Sequence, residues 1–126
     1  MSKTVVYSDK APEPIGPYSQ AISVGNMLFV SGQVAIQKSS GTIITSTIES
    51  ETIQVMTNLN EILVAAGMDF NHVVKTTIFL KDMNNFPKVN ETYGKYFQQA
   101  PPARETVEVS RLPKDVNVEI SCIAVR

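Results

Sequence analysis

Apolar residues recur along this chain with two different periods, and the change from one to the other marks out its elements. Thr4-Val5-Val6-Tyr7 predicts a short first strand. Pro12, Pro14, Gly16 and Pro17 then break regular structure at close intervals, so the stretch up to residue 20 reads as loop. Two apolar runs, residues 21–24 and 27–30, are parted by Gly25-Asn26, which predicts a β-hairpin. Ser31-Gly32-Gln33 predicts a break in the second strand, with Val34-Ala35-Ile36 continuing it past a bulge.

Between residues 47 and 66 the period becomes helical. Ile48, Thr52, Val55, Leu59, Ile62 and Ala66 recur at steps of three and four, one face of an amphipathic helix. Ser46 with Glu49 predicts a capping box, and Gly67 supplies the C-terminal stop. Residues 73–80 are rich in β-branched side chains and read as a buried strand. Residues 82–85 read as turn and cap. A second helix then carries Phe86, Val89, Tyr93 and Phe97 on one face, with Pro87 in its first turn and Ala100-Pro101-Pro102 ending it. Residues 103–110 and 116–125 predict two last strands around the turn Leu112-Pro113-Lys114-Asp115.

This order predicts an α+β domain with both helices on one sheet face. In the last strand Val118, Ile120, Cys122 and Ala124 alternate with Glu119, Ser121, Ile123 and Val125, so both faces are largely apolar. The helices can cover only one of them. The other is expected to pack on a second copy, as in a homo-oligomer.

Composition narrows the function classes. A length of 126 residues predicts a single domain, residues 1–126, and 43% hydrophobic with 18% charged residues excludes a disordered chain. Eleven Lys and Arg against twelve Asp and Glu leave a net charge of -1, which argues against a nucleic-acid partner. No apolar run reaches the roughly 20 residues of a membrane span, and Met1-Ser2-Lys3-Thr4 lacks a signal-peptide core, so we expect a soluble cytoplasmic protein with no membrane partner. One cysteine, Cys122, excludes an internal disulfide, and with a single histidine it excludes a Cys/His zinc site; no metal is expected. His72 lies in the polar turn Asp69-Phe70-Asn71-His72 and reads as a solvated loop histidine.

Two charged residues stand out. Glu119 sits mid-strand on a face expected to be buried, where a carboxylate is costly unless paired. In the preceding strand Arg104 and Thr106 share one face, while Val107 and Val109 take the other. If those two strands pair, Arg104 and Glu119 flank one pocket. Spacing alone favours a structural ion pair or two rim charges over a substrate site.

Several segments tip that balance. They are Ile15-Gly16-Pro17-Tyr18-Ser19-Gln20-Ala21, Val30-Ser31-Gly32-Gln33, Val74-Lys75-Thr76-Thr77-Ile78-Phe79-Leu80, Phe86-Pro87-Lys88-Val89-Asn90, Pro102-Ala103-Arg104 and the run from Val107 to Val116. In order and spacing they resemble the RidA (YjgF) family of reactive-intermediate deaminases, nearly end to end. The resemblance implies a chorismate-mutase-like fold, one mixed sheet with two helices on one face, forming a homotrimer with pockets between subunits. It also implies hydrolysis of 2-imino acids and their enamines, such as 2-iminopropanoate and 2-iminobutanoate, to 2-keto acids and ammonia, with no cofactor.

By the same resemblance Arg104 binds the substrate carboxylate, as its planar guanidinium fork suits. Glu119 holds or activates the attacking water, and Tyr18, Ser31, Gly32 and Asn90 belong to the pocket. Phe86 lines the entrance or belongs to the core. Thr106 stands where many members carry cysteine, which puts substrate preference in question more than reaction class. A thiolate mechanism would fail here, because Cys122 alternates onto the other strand face, but Thr106 still offers a hydroxyl. A regulator that binds a 2-keto acid or amino acid and acts through a protein partner is the alternative. RNA cleavage, another label attached to the family, fits worst, since the sole candidate base is a loop histidine and no basic excess exists.

Overall fold

The computed structural model describes residues 2–126. Its strands are β1 (Lys3–Val6), β2 (Ala21–Val24), β3 (Met27–Gln33), β4 (Val73–Leu80), β5 (Ala103–Glu108) and β6 (Val118–Val125). Its helices are α1 (Ile48–Ala65) and α2 (Phe86–Gly94), with short 3-10 turns at Phe70–His72, Met83–Asn85 and Pro113–Asp115. The strands form one six-stranded sheet in the order β1-β2-β3-β6-β4-β5. Every neighbouring pair is antiparallel except β4 and β5, which run parallel. A parallel pair needs a crossover, and α2 provides it.

Local signals set most boundaries. Gly25 (φ 59°) makes the hairpin turn, with Val24 opposite Met27 and Ala21 opposite Val30. β3 does not break at Ser31 but runs on to Gln33, its pairing with β6 slipping between Val30 and Gln33. Beyond it Ile36 makes only an isolated bridge to Ile43.

The capping box is Thr47 with Ser50, one residue later than Ser46 with Glu49. The Ser50 N–H donates to Thr47 Oγ1 at 3.0 Å, and the Thr47 N–H donates to Ser50 Oγ at 3.2 Å. Ile48 packs against the core as the first helical residue, which puts Ser50 in the third position. Gly67 (φ 73°) follows the helix as expected.

α2 stops at Gly94, short of Phe97 and well before Ala100-Pro101-Pro102. Glycine weakens a helix interior, and Phe97 still reaches the core through aromatic contacts, 4.8 Å from Tyr93 and 5.4 Å from Phe70 between ring centroids. β5 ends at Glu108 rather than Ser110. β6 begins at Val118 rather than Val116, because Asn117 is held by buried Glu51 of α1. Glu51 Oε2 accepts the N–H groups of Asn117 (2.7 Å) and Val118 (3.1 Å), and Oε1 accepts Asn117 Nδ2 (2.8 Å).

Both helices lie on one sheet face. Val55, Leu59 and Ile62 of α1 with Val89 and Tyr93 of α2 bury Val30, Ile78, Leu80, Ile120 and Cys122. The other face is uncovered. Val5, Ile22, Phe29 and Ile123 form a row across it, and Val5, Phe29 and Val107 are 61%, 42% and 40% exposed. The last two strands do not pair: β4 lies between β5 and β6. Among the described residues no helix is long and apolar enough to cross a membrane.

Candidate active site

The register of β4 and β5 sets Arg104 opposite Thr76, whose side chain is buried beneath the helices. Arg104 therefore points to the helix side, at the free edge of the sheet. α2 receives it there. Arg104 Nη1 donates to Asn90 Oδ1 at 2.8 Å, and the guanidinium carbon lies 5.6 Å from the Phe86 ring centroid and 5.1 Å from that of Tyr93. The Tyr93 hydroxyl is itself fixed 2.7 Å from Thr76 Oγ1. Among the described residues no carboxylate pairs with Arg104, although the chain's other ion pairs include Lys75–Glu105 and Arg111–Asp115. The free side of the guanidinium faces an open cleft of about 410 Å³ shared with Asn90, Tyr93, Phe97 and Pro102. Thr106, two residues on, takes the same side opposite Ile78. Its Oγ1 is buried without a hydrogen-bond partner among the described residues.

Glu119 pairs with Phe79 and lies on the uncovered face. It is half-buried, and that burial pushes its carboxyl above the usual glutamate range. The slipped register of β3 brings Gly32 against it. A Cβ on Gly32 would come 2.9 Å from Glu119 Cδ, closer than real Cβ contacts allow. The bulge is tied to the preceding loop: Ser31 N–H donates to the Gln20 carbonyl at 2.9 Å and Ser31 Oγ donates to the Ser19 carbonyl at 2.6 Å. Buried Gln20 in turn donates to the Ser8 and Pro12 carbonyls, at 3.1 and 2.9 Å. Tyr18, on this braced loop, joins Ser31, Phe29, Thr77 and Ile123 around a cleft of about 420 Å³.

The seven site residues thus fall into two groups. Arg104, Asn90 and Thr106 lie on the helix side at the β5 edge. Glu119, Gly32, Ser31 and Tyr18 lie on or beside the uncovered face. The expectation that Arg104 and Glu119 flank one pocket through paired strands is not met within one chain. The physical reason is the crossover: α2 delivers β5 parallel to β4, so β6 is a strand away and Glu119 faces the opposite side.

Neighbouring side chains complete the picture. Glu105 points away from Arg104, accepting a hydrogen bond from Thr77 and pairing with Lys75 at 3.1 Å, and these partners hold its carboxyl below the usual range. Cys122 is buried on the helix side, and desolvation pushes its thiol up to about 12, which leaves no thiolate nucleophile. His72 Nδ1 accepts the Asp69 N–H at 3.0 Å at the foot of β4. Phe86 is both core and site, half-buried with its ring beneath Arg104. Tyr93 is a site residue that sequence alone does not disclose, since its helical spacing reads as core; its one signal is its place three residues after Asn90, on the same helix face.

Comparison with known proteins adds three findings. The model of the family described as endoribonuclease L-PSP matches residues 8–126. A RutC family protein of Pyrococcus horikoshii is 53% identical over 122 residues, 97% of each chain, and the 2-iminobutanoate/2-iminopropanoate deaminase of Mus musculus is 49% identical over 124 residues, 98% of this chain and 92% of that one. The crystal structure of E. coli TdcF with bound serine matches with a TM-score of 0.93 at 38% identity, covering 98% of both chains.

Proposed function

This chain belongs to the endoribonuclease L-PSP family, the RidA (YjgF) family, and from that premise we propose that it hydrolyses 2-iminopropanoate and 2-iminobutanoate to 2-keto acids and ammonia. Arg104 carries the reading. A guanidinium held by Asn90 and two aromatic rings, with no acidic partner among the described residues, suits the carboxylate of a small acid. The relative solved with bound serine supports a ligand of that size and charge.

The site is completed between copies. In a homotrimer that covers the apolar sheet face, Arg104 of one copy meets Tyr18, Ser31, Gly32 and Glu119 of the next. Arg104 clamps the carboxylate and presents the protonated imine carbon to a water held by Glu119. The carboxylate takes a proton as the water oxygen bonds to carbon, giving a carbinolamine. Glu119 then returns that proton to nitrogen, the C–N bond breaks as the carbinol oxygen forms C=O and passes its own proton back to the Glu119 carboxylate, and ammonia and the keto acid leave. A carboxyl raised toward neutrality by burial can both take and return the proton.

The test is keto-acid release from 2-iminobutanoate generated in situ by a pyridoxal-phosphate dehydratase. Acceleration over the spontaneous rate that is lost in a folded Arg104→Ala variant supports the proposal. Binding of 2-oxobutanoate with no acceleration refutes it and favours the regulatory alternative.

A further inference from the structure

The loop from Val109 to Asn117 joins β5 to β6 and contains two consecutive non-glycine residues in the left-handed region, Lys114 and Asp115, each with φ 56°. Glycine would sit there freely; a lysine and an aspartate are held there against their preference. The restraints are identifiable. Arg111 grips Asp115 with two hydrogen bonds, Nε to Oδ1 at 2.7 Å and Nη2 to Oδ2 at 3.2 Å. Lys81 Nζ donates to the Ser110 carbonyl at 2.9 Å, and its N–H donates to the Asn117 carbonyl at 3.0 Å. Leu112 and Val116 are buried, and Glu51 holds Asn117.

What this bracing holds in place is Lys114. With Pro113 it forms one wall of a narrow cavity of about 80 Å³, whose other walls include Tyr18, Gly32 and Glu13. Gly32 is the residue on which Glu119 rests. The two charges in the cavity wall are not balanced. Glu13 is already engaged by Lys38 at 2.9 Å and by the Tyr7 hydroxyl, and Asp115 by Arg111. Lys114 makes no ion pair among the described residues, so its ammonium is the uncompensated charge there.

We infer that Lys114 is a specificity-determining cation of the Glu119 half-site, which draws carboxylate-bearing substrates to the mouth shared by Tyr18 and Gly32. The inference rests on the deaminase reading and adds to it a second positive charge, apart from the Arg104 clamp. Its effect falls on capture, not on the chemical step, because Lys114 shares a cavity wall with Gly32 and Tyr18 while Glu119 is not among the residues lining that cavity.

Three variants separate this role from a structural one. Lys114→Gly removes both the charge and the strain, Lys114→Met removes the charge alone, and Lys114→Arg keeps it. Lys114→Gly is expected to melt no lower than the parent, yet to lose roughly two- to fivefold in kcat/KM for 2-iminobutanoate at unchanged kcat. That loss should fade between about 20 mM and about 0.5 M NaCl as screening removes the field. Lys114→Met should show the same loss, and Lys114→Arg should restore the parent value. Parent-like kcat/KM in the Gly and Met variants at low salt, or a loss that salt leaves unchanged, overturns the inference. A parent protein without turnover would refute the deaminase reading separately. Titration with 2-oxobutanoate then reads the same charge, expected as weaker, salt-sensitive binding in the Gly variant, and equal binding overturns the inference.

Discussion

Mixing two inactive variants is the sharpest probe of the divided site. Arg104 lies on the helix side of the sheet edge and Glu119 on the uncovered face, with β4 between them. No single chain brings the two together, so under the proposed function a site takes Arg104 from one copy and Glu119 from another. Arg104→Ala removes a charge-assisted clamp and should lower kcat/KM by about 10²-fold or more. Glu119→Gln removes the proton carrier and should lower kcat by about 10²–10⁴-fold. When the two are mixed one to one and their subunits exchanged, a site is intact if its arginine comes from the glutamate variant and its glutamate from the arginine variant. Each condition holds in about half of cases, so about one quarter of sites in a closed symmetric oligomer regain both groups. The assay is 2-iminobutanoate hydrolysis after exchange, with native mass spectrometry to verify mixed assemblies. A recovery near one quarter of parent activity supports the shared site. Activity that stays at the mean of the two variants, in assemblies shown to be mixed, refutes it.

Other substitutions probe single contacts. Gly32→Ala places a Cβ against the Glu119 carboxyl, a flexible end that can swing aside; the protein should fold with little loss of stability while kcat falls roughly 10²-fold, checked by melting and initial rates. Burial raises the Glu119 carboxyl, so the active carboxylate is lost as pH falls through that raised value, and kcat should drop on the mildly acidic side above the ordinary glutamate range. The stability sign is opposite: a folded pKa above the unfolded one makes this group's contribution grow as pH falls, so Glu119→Gln should melt higher than the parent at neutral pH and no higher once the parent is protonated. Thr106→Val removes a buried hydroxyl with no partner among the described residues; it should raise stability by about 1–3 kcal/mol, while KM rises severalfold if substrate supplies the missing bond, read by denaturant unfolding and steady-state kinetics.

Local features of this fold were readable from sequence, and long-range ones were not. The hairpin at Gly25-Asn26, the extent of α1 to within a residue and the whole of β4 follow from period and turn chemistry within one short window. The strand order does not. Consecutive strands are usually neighbours, and that tendency places β5 beside β6, yet the crossover through α2 puts β5 against β4. That step interposes β4, and the register, which sets Thr76 opposite both Arg104 and Cys122, puts Arg104 on the face away from Glu119. The Gly32–Glu119 contact is likewise invisible in sequence, because it depends on the slipped pairing of β3 with β6. Family resemblance put Arg104 and Asn90 in one pocket, but the bond between them, across fourteen positions, comes only with the fold. Tyr93 carries two duties at once, and periodicity discloses only its packing.

The sole thiol of this protein sits behind both helices and holds its proton tightly. On the deaminase reading the protein works among electrophilic C=N compounds, which exposed thiolates attack. With Thr106 in the cleft and Cys122 buried, this chain exposes no thiol to such species, and on the deaminase reading it should outlast repeated exposure to them. Iodoacetamide should accordingly leave the folded protein unlabelled and react only after denaturation.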